Sequence, residues 1–69
     1  MSESTEMYLE TILVIQNKKG HVRSIDIARE MNFSKPTISQ QMKRLKEKEL
    51  INMDEDGAIT LTDAGAKIA

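Results

Sequence analysis

The chain is 69 residues long, with no cysteine, one histidine and a net charge of −1, 39% hydrophobic and 30% charged. Such a chain has room for one small domain, and disulfides, thiolate zinc sites and thiol catalysis are excluded with the cysteines. The longest apolar run is Ile12 to Ile15 and the start, MSESTEM, is polar and acidic, so a soluble cytoplasmic protein without membrane span or signal peptide is expected.

Ser2 or Ser4 is placed to cap a first helix that runs to about Lys19 and stops at Gly20. Tyr8, Leu9, Ile12, Leu13 and Ile15 form a broad apolar stripe along it. Met7, Glu10 and Val14 form a second, mixed stripe roughly opposite, more than one small core needs. His21, Val22 and Arg23 read as a short extended connection, with His21 a polar junction residue rather than a ligand. Ser24 is expected to cap a brief second helix, with Asp26 in its first turn and Ile25, Ile27, Ala28 and Met31 as its apolar positions. Asn32 tolerates the left-handed conformation a turn needs, and Phe33 is expected to pack beneath that turn.

Ser34 caps a third helix over residues 35–48, with Pro36 in the first turn, where its missing N–H costs little. Ile38, Met42 and Leu45 mark its buried face, and Pro36, Ser39, Gln40, Lys43 and Glu47 project outward, Lys43 and Glu47 at ion-pair spacing. Residues 50–53 and 58–61 read as two strands joined by a turn at Asp54, Glu55, Asp56 and Gly57, since Asp-Gly favours hairpins. Thr62 caps, and Asp63 begins, a last helix of about two turns. Its stop at Ala69 reads as a domain cut from a longer parent. Met31, Met42 and Met53 are expected in the core.

The expected fold is mainly α with a small β-hairpin: a winged helix-turn-helix over residues 1–69. Charge is segregated along it. Lys35, Lys43, Arg44, Lys46 and Lys48 crowd the third helix with one anion, Glu47, while Glu3, Glu6 and Glu10 mark the start and Asp54, Glu55 and Asp56 the hairpin tip. The second helix of such a pair fits the major groove of double-stranded DNA. Ser39 and Gln40 suit base edges, Ser34 and Thr37 suit phosphate, and Lys35, Lys43, Arg44 and Lys46 can neutralise phosphates. The competing reading is a winged-helix module that docks protein rather than DNA, favoured by the acidic hairpin tip. No nucleophile–base pair, carboxylate dyad or glycine-rich phosphate loop is visible, so neither an enzyme nor a small-molecule substrate is expected.

Four stretches resemble the N-terminal DNA-binding domain of the diphtheria-toxin-repressor-like, metal-dependent transcriptional regulators: Thr5-Glu6-Met7-Tyr8-Leu9-Glu10-Thr11-Ile12, Ile27-Ala28, Ser34-Lys35-Pro36-Thr37-Ile38-Ser39-Gln40 and Leu61-Thr62-Asp63-Ala64-Gly65. The resemblance implies that Ser34, Pro36, Thr37, Ser39 and Gln40 contact operator DNA. It implies a repressor of metal-uptake genes that binds Fe2+ or Mn2+ and works as a homodimer. Met7 matches a ligand of the iron-type branch and Glu10 a ligand of the manganese-type branch, which leaves both metals open. The resemblance implies that the remaining ligands belong to a dimerisation domain that would follow Ala69, so no tightly bound metal is expected in these residues alone.

Overall fold

The structure, a computed structural model, describes residues 3–69. Its elements are α1 (Glu3–Lys19), α2 (Ser24–Met31), α3 (Lys35–Glu47), β1 (Ile51–Met53), β2 (Ile59–Leu61) and α4 (Asp63–Ile68). Ser4 lies inside α1 and does not cap it, and the alternative cap, Ser2, lies outside the described residues. Gly20 ends α1 at φ +81°, where a side chain would be strained, and its N–H donates to the Gln16 carbonyl at 2.8 Å.

The cap of α2 is Arg23, not Ser24. The Asp26 carboxylate accepts from the Arg23 N–H at 3.0 Å with one oxygen and from the Lys19 ammonium at 2.8 Å with the other. The bond from the Arg23 N–H accompanies a helix start one residue earlier than a serine cap would give, and the bond from Lys19 ties the end of α1 to the start of α2. Asn32 ends α2 in the left-handed conformation, φ 57°, and the Phe33 N–H closes the helix end on the Ala28 carbonyl at 3.0 Å. Phe33 is not beneath the turn. It is 44% exposed and meets Tyr8 edge-to-face, with ring centroids 6.4 Å apart.

The Ser34 hydroxyl accepts from the Thr37 N–H and so starts α3, which ends at Glu47, one residue short of the expected Lys48. The strands pair antiparallel with Ile51 opposite Leu61 and Met53 opposite Ile59, each strand one residue shorter than expected. The loop between them spans residues 54–58. Asp54 organises it by accepting from the Asp56 and Ala58 N–H groups, each at 2.9 Å, with Gly57 at φ +82°. The Ile59 N–H donates to the Val22 carbonyl at 2.7 Å, which fastens the extended connection after α1 to the hairpin.

Leu9 and Ile12 of α1, Ile27 of α2, Ile38 and Met42 of α3, Val22, Ile51 and Ile59 are almost wholly buried and make one core. Burial of each such side chain contributes about 1.5–3 kcal/mol. Met42 is in that core as expected, whereas Met31 and Met53 are half-buried at its rim; Leu13 and Ile25 are half-buried too. No helix among the described residues is long and apolar enough to cross a membrane.

Candidate nucleic-acid interface

Helix α3 buries Ile38, Met42 and Leu45 and leaves Lys35, Pro36, Thr37, Ser39, Gln40, Lys43, Arg44, Lys46 and Glu47 exposed. At about 100° per residue, Pro36, Gln40 and Glu47 fall within about 40° of one another, directly opposite the buried face. They form an outer ridge. Ser39 and Lys46 lie down one side of it, with Lys43 at the ridge's edge on that side, about 20° from Pro36, and Thr37, Gln41 and Arg44 lie down the other, with Lys48 just beyond the helix end.

Each side opens onto a shallow concavity. Ser39, Lys43 and Lys46 share one of about 250 Å³ with Ser24 at the start of α2 and Met53 of β1. Gln41, Arg44 and Lys48 share another of about 260 Å³ with Ser4, Thr5 and Tyr8 of α1. The arrangement is a cation-poor ridge between two cation-bearing flanks. Among the described residues the one salt bridge joins Lys19 to Asp26, so the expected Lys43–Glu47 pair is not formed and the α3 cations are not neutralised within the domain.

The first turn of α3 offers hydroxyl groups. The Ser34 and Thr37 side-chain oxygens lie 2.7 Å apart, and whichever donates, the other keeps a proton for an outside acceptor. Ser34 therefore caps the helix and shares a single donor with Thr37. The wing tip, Asp54, Glu55 and Asp56, is exposed.

Met7 and Glu10 are brought together. They line a depression of about 240 Å³ on α1 with Thr11, Val14 and, from α2, Glu30. Met7 and Val14 are 55% and 41% exposed, so the second stripe of α1 is outside the core. A thioether and a carboxylate suit a first-row divalent cation. No group of three or more His, Cys, Asp or Glu side chains able to hold a metal occurs among the described residues. His21 is exposed and outside this depression.

Three features of the surface were not expected from the sequence: Glu30 beside Met7 and Glu10, Ser24 on one flank of α3, and the amino end of α1 with Lys48 on the other. Each depends on packing between helices, and no spacing along the chain announces it.

Residues 1–59 match the model of a family described as the iron dependent repressor, N-terminal DNA binding domain. The chain is 31% identical over 67 residues to the diphtheria toxin repressor of Corynebacterium jeikeium, covering 97% of this chain and 28% of that protein. It is 33% identical over 67 residues to the transcriptional regulator MntR of Escherichia coli, covering 97% of this chain and 43% of that protein. The chain thus spans less than half the length of either relative. Among solved structures it is similar to MepR of S. aureus in a complex with DNA, with a TM-score of 0.76 and 26% identity over 99% of this chain and 51% of that one.

Proposed function

Because the chain belongs to the iron dependent repressor family, within its N-terminal DNA-binding domain, we propose that residues 1–69 form one winged-helix domain that reads double-stranded operator DNA with α3. The observation that carries the proposal is the ridge between two cation-bearing flanks. A helix about 10–12 Å across fits a major groove about 12 Å wide, and a helix so seated has one strand's phosphates on each side.

Roles follow from position. Gln40, on the ridge, can bond adenine through both its amide groups, and Ser39 reads beside it. Pro36 shapes the first turn against the groove floor. Ser34 and Thr37 give their remaining hydroxyl proton to phosphate. Lys35, Lys43, Arg44 and Lys46 neutralise phosphates on the two flanks. The acidic wing is held off the backbone. A role on operator DNA places the protein in the cytoplasm with the chromosome.

Met7 and Glu10 fit as part of a site for Fe2+ or Mn2+ in the full-length protein. Met7 would offer its thioether and Glu10 its carboxylate, and the bound cation would supply positive charge that further donors could share. Two donors leave most of a six-coordinate shell to water, so this domain alone holds metal poorly. One recognition helix reads a half-site, and a homodimer of the full-length protein would join two, raising avidity by a factor on the order of 10²–10⁴.

The test is duplex binding by the 69-residue chain across a salt series. Lys43→Ala weakens binding to every sequence and lowers the salt slope by about one unit. Gln40→Ala costs about 1–3 kcal/mol at one base position and leaves the slope alone. If both variants bind as the parent does, α3 is not the reader and the acidic wing makes a protein-docking module the better account.

A further inference from the structure

Glu47 is out of place on a helix whose other charged residues are the cations Lys35, Lys43, Arg44 and Lys46, with Lys48 just beyond its end. It is exposed, it sits on the same outer ridge as Gln40, and it forms no ion pair among the described residues. Neither charge neutralisation nor packing accounts for it. At about 1.5 Å per residue it stands roughly 10 Å further along the helix axis than Gln40.

Duplex DNA curves away from a straight helix. A recognition helix therefore reads base edges with its amino-terminal turns, while its carboxyl-terminal turns pass out over the phosphates. A carboxylate on the ridge at that point meets phosphate oxygens, not bases. The cost is largest when the helix lies flat across the backbone, the posture in which Lys43, Lys46, Arg44 and Lys48 could all contact phosphates at once. It is smallest when the amino-terminal half is seated and the carboxyl end tilts outward.

We propose, resting on the reading of α3 as the DNA-contacting helix, that Glu47 is a specificity-determining residue that acts by repulsion. It penalises the sequence-independent, flat-lying mode and leaves the seated mode as the favoured one. Specificity is a difference between two affinities, and lowering the wrong one widens it. The two cation flanks make this necessary, because cations alone strengthen both modes together.

The experiment measures binding of the 69-residue chain to a mixed-sequence duplex and to a duplex enriched from a randomised pool by that same chain, both across a salt series. Three proteins are compared: the parent, Glu47→Gln and Glu55→Gln. The last makes the same net-charge change on the exposed wing tip. Glu47→Gln is expected to raise affinity for the mixed-sequence duplex roughly threefold to tenfold and to steepen its salt slope by up to about 0.9 unit. Affinity for the enriched duplex rises less, so the ratio between the two falls, while Glu55→Gln tracks the parent. Equal gains from Glu47→Gln and Glu55→Gln overturn the proposal, because global charge then suffices. No gain from Glu47→Gln also overturns it. A loss confined to one base position of the enriched duplex overturns it too, and makes Glu47 a base reader. A parent chain that retains neither duplex at low salt removes the underlying reading, whereas a parent that binds and is weakened by Lys43→Ala leaves that reading standing whatever Glu47 does.

Discussion

Asp26 works with both its oxygens, one on the Arg23 N–H and the other on Lys19. The hydrogen bond from Lys19 holds its carboxyl below the ordinary value of 3.8; partial burial opposes the shift, and the Arg23 N–H adds to it. A carboxyl whose folded value is depressed adds stability that is complete above its unfolded value and disappears as pH falls through the folded one. The parent should therefore melt above Asp26→Asn at neutral pH, with the gap closing below about pH 4. The asparagine still offers an oxygen to the Arg23 N–H, so the charge alone is removed. Thermal melts from neutral to strongly acidic pH check this, and a gap that stays constant would assign the effect to shape rather than charge. Lys19 is half-exposed at 48%, so solvent and salt moderate the pair. The sequence showed Asp26 as a first-turn acid, a local signal. Arg23 rather than Ser24 caps the helix through local bonds: its N–H donates to Asp26 and its carbonyl accepts from the Asp26 and Ile27 N–H groups, while Lys19, on another element, takes the second Asp26 oxygen.

Between α3 and α4 the backbone is folded tightly on itself. Glu49 takes φ 60°; the Thr62 hydroxyl donates to the Glu49 carbonyl at 2.8 Å, and the Thr62 N–H donates to the Leu50 carbonyl at 3.1 Å. The same hydroxyl oxygen accepts from the Gly65 N–H at 3.1 Å and starts α4. Gly65 then lies so close to the Leu50 backbone that a β-carbon would collide with its carbonyl oxygen. Alanine is the better helix former by about 0.5–1 kcal/mol. The collision outweighs that, since neither partner is a flexible side chain, and Gly65→Ala should destabilise the domain by about 1–3 kcal/mol in urea denaturation. A stabilised variant would show that α4 can shift away at little cost. The element order, the buried face of α3 and the Thr62 cap were all legible, because each follows from spacing or a cap within one element. The hairpin was legible and its loop was not. Asp-Gly suggests a tight turn, but Asp54 captures two N–H groups with its side chain and holds a longer loop.

Two surfaces with separate residue sets sit on this molecule: the α3 ridge and flanks, and the depression lined by Met7, Glu10 and Glu30. If metal acts through the second, its loss should leave the electrostatics of the first intact. In the full-length protein, Met7→Ala is expected to abolish the increase in operator affinity caused by Fe2+ or Mn2+ and to preserve metal-independent binding at low salt, which comes from the α3 cations. Operator titrations with and without each metal check this, and an undiminished response leaves Met7 as surface packing. The sequence by itself determined the order of elements, the helix-turn-helix, the faces of α1 and α3 that form the core and the outward position of Gln40 and Lys43. Periodicity, caps and turn residues act over a few residues, and those are written in the chain. Tertiary structure alone decided that Val22 pairs with Ile59, that Met31 and Met53 stop at the rim of the core, that Glu30 faces the Met7 depression and that the start of α1 borders Arg44 and Lys48. Each of these joins residues from different elements, and only the packing of the helices around the shared core brings them within reach.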